Sequence, residues 1–304
     1  MAIWIAKAII QKTISFLPLK HQINFLFQKY VTKGVNLSDY LFEDKLTHLQ
    51  NHISYFLKYS KGETSKFTAL ELGTGWYPIV PVGLYLAGAD KIYTLDISSL
   101  LNEERILQTV ERFIQYSEKD LGFKFLPERL EKLKEIVQQK NYSVAELLAA
   151  MNIVSLIVDA RKIDLPDAGI DLINSNNTFE HIYPEILIDI LKEFKRLAKP
   201  GAVMSHFIDM SDHFAHLDKS ISVYNYLKFS EQQWNLIDNS IQPQNRMRLY
   251  EHEELYTKAG IPVTEKVIVG KGNDSIQSID LDIRFKKYPI AETAITHASI
   301  ISVM

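Results

Sequence analysis

The chain has 304 residues, of which 46% are hydrophobic and 11% aromatic, so it can bury a full core and is not disordered. Its formal net charge of -3 provides no general basic surface, which disfavours unspecific binding to nucleic acid and leaves a small molecule or a protein as the expected partner. The absence of cysteine excludes disulfides, thiolate nucleophiles and cysteine metal sites, and it is compatible with a reducing, cytoplasmic environment.

Residues 1–65 are predicted to form an N-terminal helical cap. The first stretch, MAIWIAKAIIQKTISFLP, is apolar, but Lys7, Gln11 and Ser15 make a narrow polar stripe at helical spacing, and the stretch is short for a membrane span. We expect this helix to belong to the cap, with a peripheral membrane contact and a dimer contact as alternatives. Apolar residues continue the helical spacing at Ile23, Phe25, Leu26, Tyr30, Leu46, Leu49, Ile53 and Phe56.

Residues 66–304 alternate strands and helices and are predicted to form one domain. The predicted strands are FTALEL, KIYTLDI, IVSLIVDA, GIDLINSN, AVMSHFID, VTEKVIV and ITHASIISV. Strands separated by helices such as Pro184 to Leu197 predict a seven-stranded, mostly parallel α/β sheet of the Rossmann-like kind, with helices on both faces. The stretches at about 99–152 and 211–250 are too long for simple connections, so we interpret them as insertions.

A glycine turn, LELGTGWYP, follows the first predicted strand. In an open α/β sheet, ligands bind at the carboxyl ends of the strands, and Gly73 and Gly75 would let the backbone turn sharply beside such a ligand. A dinucleotide fingerprint would need a third glycine where Pro78 stands. The anionic Glu71 is ill suited to a pyrophosphate but can accept hydrogen bonds from a cationic amino group, such as that of S-adenosylmethionine.

Two further acids end the next predicted strands. Asp96 ends the second strand, where a carboxylate can accept hydrogen bonds from ribose hydroxyls, although NAD enzymes share this feature. Asp159, followed by Ala160, ends the third strand, where a carboxylate can accept a hydrogen bond from an adenine amino group. The three acids together favour an adenosyl ligand.

The motifs ELGTGW, the strand ending in Asp96, VDA and IDLINSNNTFEHI, followed by LKEFKRLAKPGAVM, resemble the class I S-adenosylmethionine-dependent methyltransferases. The similarity is strongest to the group with a leu-glu-his turn after the fourth strand, and it covers roughly 67–209 apart from the first insertion. Phe179 replaces the usual leucine, and Trp76 and Tyr77 stand where a third glycine is common. The resemblance implies S-adenosylmethionine as cofactor, S-adenosylhomocysteine as product, and cofactor contacts from Glu71, Gly73, Thr74, Gly75, Asp96, Ile97, Asp159, Ala160 and Asn176.

The segment FIDMSDHFAH follows the fifth predicted strand and contains the candidate catalytic residues. His213 or His216 could remove a proton from a hydroxyl acceptor, and Asp212 could orient the imidazole. A role in hydrogen bonding within a lid and a metal site on the same residues are alternatives, but no further ligand cluster is evident, so no metal is predicted. Glu180 and His181 are interpreted as structural residues of their turn.

The second insertion carries aromatic and basic residues that could line an acceptor pocket and bind an anionic group, with plain packing as the alternative. The candidates are Tyr224, Tyr226, Trp234, Arg246 and Arg248.

The sequence therefore predicts a methyltransferase that acts on a hydroxyl, or a carboxyl, oxygen of a small or glycan-like acceptor and not on nucleic acid. Two phrases, SDHFAH and YNYLKFS, resemble uncharacterised methyltransferases of polysaccharide or natural-product pathways. The alternatives are an NAD-dependent oxidoreductase and a non-catalytic regulatory or scaffold protein of the same fold, attached to a membrane through the N-terminal helix.

Overall fold

The computed structural model describes residues 2–18, 23, 36–60, 66–139, 142–271 and 276–304. The helical prediction at Phe25, Leu26 and Tyr30 lies outside these residues, whereas the prediction over Leu46 to Phe56 is confirmed by a long helix.

The strands are β1 (Phe67–Leu72), β2 (Ala89–Asp96), β3 (Ile153–Ile157), β4 (Ile170–Asn176), β5 (Ala198–Asp209), β6 (Glu265–Lys271) and β7 (Ile295–Val303). The helices are α1 (Ile3–Ile14), α2 (Asp39–Tyr59), α3 (Ile79–Leu86), α4 (Glu103–Tyr116), α5 (Pro127–Gln138), α6 (Val144–Ala150), α7 (Pro184–Leu197), α8 (Phe214–Leu217), α9 (Glu231–Ile237), α10 (Leu249–Ala259), α11 (Ile283–Lys286) and α12 (Ile290–Thr293). Short 3-10 turns span Phe179–His181 and Asn225–Lys228.

The strands form one seven-stranded sheet in the order β3-β2-β1-β4-β5-β7-β6. Strands β1 to β5 pair in parallel, and β7 runs antiparallel to both β5 and β6, so the predicted mostly parallel sheet is confirmed. The chain moves outward from β1 to β3 and then returns to place β4 on the other side of β1. This reversal opens a crevice at the carboxyl ends of β1 and β4, where open α/β sheets bind ligands.

Helices cover both faces of the sheet because side chains alternate along each strand. On β1, Ala69 contributes to a core formed with α2, α3 and the helices of the first insertion. Leu70 and Leu72 of the same strand contribute to a second core with α7 and α10. Glu71 has the same parity along β1 as Ala69, which places it on the face that α2 covers.

Helix α2 packs closely on this face, and its position follows from its sequence. Ser38 begins the helix by accepting a hydrogen bond from the Leu41 N–H, and the apolar stripe of α2 is buried. A Cβ atom at Gly83 of α3 would lie 1.9 Å from Leu49 Cδ2, so glycine is required for the two helices to approach. The packing carries one end of α2 over the carboxyl ends of β1 and β4.

Strand β3 ends at Ile157, three residues before the predicted end at Ala160. The Val158 N–H still donates to the Asp96 carbonyl, but Asp159 then turns to bind the Arg161 guanidinium and backbone N–H. This polar turn ends the strand early, because the Asp159 side chain supplies hydrogen bonds that the sheet would otherwise provide.

Helix α1 lies on the second insertion with its polar stripe inward. Gln11 is only 2% exposed and donates to the Gln242 side chain at 3.0 Å, and Lys12 donates to the carbonyl oxygens of Asn235 and Asp238. Its apolar residues Ile3, Ile9 and Ile10 face outward and are exposed among the described residues. Ala8 and Ile14 are buried beside Gln11, so the inward face combines apolar packing with hydrogen bonds to the insertion.

The described helices include none with both the length and the apolar character needed to cross a membrane.

Candidate active site

The turn after β1 places two glycines in different surroundings. Both have left-handed backbone, with φ of 78° at Gly73 and 72° at Gly75. A Cβ atom at Gly73 would lie 2.4 Å from Thr178 Oγ1, because the turn packs against the loop after β4. A Cβ atom at Gly75 would meet no atom within 4 Å, so Gly75 faces open space at the mouth of the crevice.

A cluster of buried polar side chains, formed by Glu71, Thr74 and Asn176, lies behind this turn. Glu71 is 4% exposed. Glu71 Oε2, Thr74 Oγ1 and Asn176 Nδ2 are buried and form no hydrogen bond of standard geometry among the described residues, although Thr74 and Asn176 lie close enough to Glu71 to lower its pKa. Buried polar atoms are normally well paired, so this polar cluster suits a ligand with polar groups of its own.

Burial raises the pKa of Glu71 from 4.5 to about 7, and the positive charge of Lys45 opposes the rise. Lys45 extends from α2, and its Nζ donates to the Asn176 carbonyl oxygen at 3.5 Å. Burial in turn lowers the pKa of Lys45, although the charge of Glu71 favours its protonated form. The sequence analysis missed Lys45, since one lysine on an amphipathic helix gives no signal of its own.

Asn176 ends β4 and is held in place by α2. Its side-chain Oδ1 lies 2.8 Å from His52 Nε2, and the other ring nitrogen of His52 lies 2.7 Å from Ser205 Oγ. Burial lowers the pKa of His52 to about 3, so the ring is neutral at physiological pH. This contact fixes the orientation of the Asn176 amide, which also lies close enough to Glu71 to lower its pKa.

Asp96 connects the glycine turn to the end of β2. Its Oδ2 accepts from the Gly75 N–H at 3.3 Å and its Oδ1 accepts from the Ser98 N–H at 3.2 Å. Burial raises its pKa, and these backbone hydrogen bonds partly offset the rise. The next residue, Ile97, is 79% exposed, and Ile157 and Val158 of the neighbouring strand are also exposed. An apolar ring would find contacts at this edge.

The two predicted adenine contacts at the end of β3 differ in exposure. Asp159 is exposed and forms an ion pair with Arg161, which holds the pKa of Asp159 at about 2. Ala160 is buried in the core beneath α7. Asp159 would therefore have to share or exchange its arginine partner in order to contact a ligand.

The acid that faces His213 is Asp209, the last residue of β5, and not Asp212. His213 Nε2 lies 3.3 Å from Asp209 Oδ2. Asp212 is fully buried, accepts from the Phe214 N–H at 2.8 Å, and also binds Asn225. Asp212 thus stabilises the start of α8, which corrects the expectation that it orients the imidazole. The spacing of four residues between Asp209 and His213 was the feature of the sequence that could have indicated this pair.

Asp209 also binds a second imidazole, from β7. His297 Nε2 lies 3.2 Å from Asp209 Oδ1, whereas His216 Nε2 lies 3.9 Å from Asp209 Oδ2 and its side chain is mostly exposed. Burial alone would raise the pKa of Asp209, but its hydrogen bonds with His213 and His297 outweigh burial and lower it. Asp209 is therefore ionised and anchors the neighbouring imidazoles.

The structure buries the side chains that were predicted to contact the acceptor, namely Tyr224, Tyr226, Trp234, Arg246 and Arg248. The two tyrosine hydroxyls and the indole N–H donate to backbone carbonyl oxygens at 2.6 to 3.0 Å. Both guanidinium groups also donate to backbone carbonyls. Tyr224, Tyr226, Arg246 and Arg248 therefore pack within the second insertion, which corrects the expectation that these four line an acceptor pocket. Trp234 also lines a small cavity beside His213.

Comparison with known proteins agrees with this architecture. Residues 108–205 match the family model described as a methyltransferase domain. The match includes β3, β4, α7 and most of β5 but not the glycine turn. A comparison with curated proteins found no match.

Several solved structures are similar. Phosphoethanolamine N-methyltransferase 2 from Haemonchus contortus, solved with S-adenosyl-L-methionine, is 13% identical over 83% of this chain and 52% of that chain, with a TM-score of 0.43. A SAM-dependent methyltransferase from Leishmania major is 11% identical over 99% of this chain and 83% of that chain, with a TM-score of 0.47. An S-adenosylmethionine-dependent methyltransferase from Mesorhizobium loti is 10% identical over 80% of this chain and 93% of that chain, with a TM-score of 0.41. The present chain spans about half the length of the Haemonchus enzyme.

The match to a methyltransferase domain model covers residues 108–205, less than half of the chain, and agrees with the predicted class. The strand order confirms the predicted α/β fold.

Proposed function

We propose that this chain binds S-adenosylmethionine in the crevice at the carboxyl ends of β1, β2 and β4 and transfers its methyl group to an oxygen atom of an acceptor. The observation that carries the proposal is the buried polar cluster of Glu71, Thr74 and Asn176, which contains atoms without a hydrogen bond of standard geometry among the described residues and lies beside the open face of Gly75. When bound, S-adenosylmethionine supplies an electrophilic methyl group on a sulfonium, so the protein has mainly to align the acceptor and assist loss of its proton.

The charges of Glu71 and Lys45 complement the zwitterionic methionine end of this cofactor. We assign Glu71 to the ammonium group and Lys45 to the carboxylate, because the two side chains offer opposite charges at one place. Asp96 is assigned to the ribose hydroxyls, and the exposed Ile97 to the adenine ring. The pairing of Glu71 with a cation was expected from the sequence, whereas the contribution of Lys45 follows from the packing of α2.

The acceptor side is assigned to the histidines around Asp209. Asp209 is ionised and lies 3.3 Å from His213 Nε2, so it can stabilise the imidazolium that forms when His213 takes a proton. Such a base suits a hydroxyl acceptor, which must lose its proton as it is methylated. The preference for a small or glycan-like acceptor rests on the resemblance of the SDHFAH and YNYLKFS phrases to methyltransferases of polysaccharide and natural-product pathways.

Calorimetric titration with S-adenosylhomocysteine and, separately, NADH tests the cofactor. We expect S-adenosylhomocysteine to bind and Asp96→Ala to weaken it by about 1.5 to 3 kcal/mol, since a charged hydrogen-bond acceptor is lost. Asp96→Asn is the matched control, because it retains an acceptor oxygen at the same position and should lose less. Tighter binding of NADH, or unchanged binding in Asp96→Ala, contradicts the assignment.

Single-turnover transfer of a labelled methyl group to a panel of sugars, phenols and carboxylic acids tests the chemistry. We expect His213→Gln to lower the transfer rate by about 10² to 10⁴-fold while leaving the affinity for S-adenosylhomocysteine unchanged. Asp209→Asn should lower the rate through the same imidazole. Normal transfer by His213→Gln removes this residue as the base, and binding of the cofactor without transfer to any acceptor favours the non-catalytic alternative.

A further inference from the structure

Two loops at the carboxyl edge of the sheet bring a carboxylate and two imidazoles together. Glu180 and His181 lie in the 3-10 turn after β4, and His213 lies just before α8, after β5. One ligand atom from each of these residues lies within 4.8 Å of the other two. The rings of His181 and His213 meet edge to face, with centroids 4.9 Å apart. The three side chains therefore converge on one point.

The hydrogen bonds of His181 direct one ring nitrogen towards this point. Nδ1 donates to the Pro243 carbonyl oxygen at 2.7 Å, which leaves Nε2 as an unprotonated lone pair in the neutral ring. Histidines that bind metal ions commonly donate their second nitrogen to a carbonyl or carboxylate in this way.

The carboxylate of Glu180 is buried and poorly paired. Glu180 is 3% exposed, and neither Oε1 nor Oε2 has a hydrogen bond of standard geometry in the described part of the chain, although the backbone groups of Glu180 and Asp209 lie close by. An unpaired buried carboxylate is costly, so it must either hold a proton or face a cation. Asp209 also lies close to Glu180 and to the imidazole of His213.

We propose that Glu180, His181 and His213 form a site for a divalent transition-metal ion such as Zn²⁺. Two imidazoles and one carboxylate are ligands of this class of ion, whereas Mg²⁺ and Ca²⁺ prefer oxygen ligands alone. A separation of up to 4.8 Å between ligand atoms is wider than in a loaded site with bonds of about 2.0 to 2.2 Å, so the side chains close around the ion on binding. Asp209 lies behind His213 and balances the charge.

The site differs from the metal alternative considered from the sequence, which used Asp212, His213 and His216. Asp212 is already paired with the α8 backbone, and the side chain of His216 is largely exposed. If the proposed methyl transfer is correct, an acceptor oxygen that coordinates the ion would lose its proton more readily, and His213 would act in that state as a ligand rather than as the base. The site itself does not depend on that activity.

Binding of Zn²⁺ and Co²⁺ to the full chain, stripped beforehand with a chelator, tests the proposal without an activity assay. We expect one ion per chain by calorimetry, visible absorption from the Co²⁺ form, and much weaker binding of Mg²⁺. Glu180→Gln and His213→Gln should each weaken Zn²⁺ binding by about 100-fold or more, since loss of even an outer partner costs about 10 to 100-fold. His216→Gln is the matched control and should bind Zn²⁺ like the natural chain.

Each variant is checked by circular dichroism and by its affinity for S-adenosylhomocysteine, which should stay unchanged if only the metal site is affected. If Glu180→Gln fails to fold, the Zn²⁺ affinity of His213→Gln, whose substitution lies on a loop, is the test of the ligand set. Absence of stoichiometric Zn²⁺ binding overturns the site, as does binding that both ligand variants retain, which would indicate an adventitious ion only. A site lost in His216→Gln but kept in Glu180→Gln would overturn the ligand set.

Discussion

The buried carboxylate of Glu71 makes cofactor affinity depend on pH in a window that can be measured. With a pKa of about 7, Glu71 is mostly protonated at pH 6 and mostly ionised at pH 8. Only the ionised form can pair with the ammonium group of the cofactor product. We therefore expect the affinity for S-adenosylhomocysteine to rise as the pH rises from 6 to 8, and Glu71→Gln to bind more weakly with little dependence on pH.

The magnitude follows from the fraction of ionised Glu71. That fraction grows by about tenfold between one pH unit below and one above the pKa, which corresponds to about 1.4 kcal/mol of binding free energy.

The same carboxyl also affects folding. Its pKa is 4.5 in the unfolded chain and about 7 in the folded protein, so the folded protein holds the extra proton and stability falls as the pH rises through this window. The whole loss is about 3 kcal/mol and extends from below pH 4.5 to above pH 7, so about 1.4 kcal/mol of it falls between pH 6 and pH 8, and it is absent in Glu71→Gln.

Calorimetry at pH 6, 7 and 8 and constant ionic strength measures the affinity, and urea unfolding at the same pH values measures the stability. Asp96 and Lys45 also interact electrostatically with Glu71, and both remain in Glu71→Gln, so this variant separates the titration of Glu71 from theirs. Affinity that is constant between pH 6 and 8 in the natural chain refutes the reasoning. An equal pH dependence in Glu71→Gln refutes it as well, because the slope must then come from another group.

Two further predictions separate folding from binding. Gly75→Ala should destabilise the protein by about 1 to 2 kcal/mol through left-handed backbone strain and should mainly weaken S-adenosylhomocysteine binding. Gly73→Ala should destabilise it more, because the added Cβ would also clash with Thr178. Thermal unfolding measures the stability of both variants, and calorimetry measures their binding. Arg248→Met should cost about 3 kcal/mol of stability, because buried backbone carbonyls lose their hydrogen-bond donor. The folded fraction should keep its cofactor affinity. A stable variant that transfers no methyl group would instead support contact between Arg248 and the acceptor.

The sequence was sufficient for the order of the secondary structure from β1 onward. The mostly apolar run FTALEL and the helical spacing in Pro184 to Leu197 each describe a local preference that the fold also uses, so both elements lie where they were expected. Boundaries were less secure at β3, where the side chain of Asp159 competes with the sheet for hydrogen bonds.

The acceptor side was predicted less well than the cofactor side. The glycine turn and Asp96 are local features of one strand-turn-helix unit, and the structure joins them through the hydrogen bond from Gly75 to Asp96. Asp212 and Arg248 were assigned from residue type, which does not show whether a polar group faces a ligand or a backbone carbonyl in the core. That difference is set by burial, a property of the folded chain.

The amino-acid sequence by itself determined the class of fold, the strand that carries Glu71 and the turn that follows it, because these depend on neighbours a few residues apart. Only the tertiary structure placed Lys45 beside Glu71, replaced Asp212 by Asp209 as the partner of His213, and joined Glu180 and His181 to the same imidazole. These residues come from elements far apart in the chain, and their charges interact only after packing excludes water from between them.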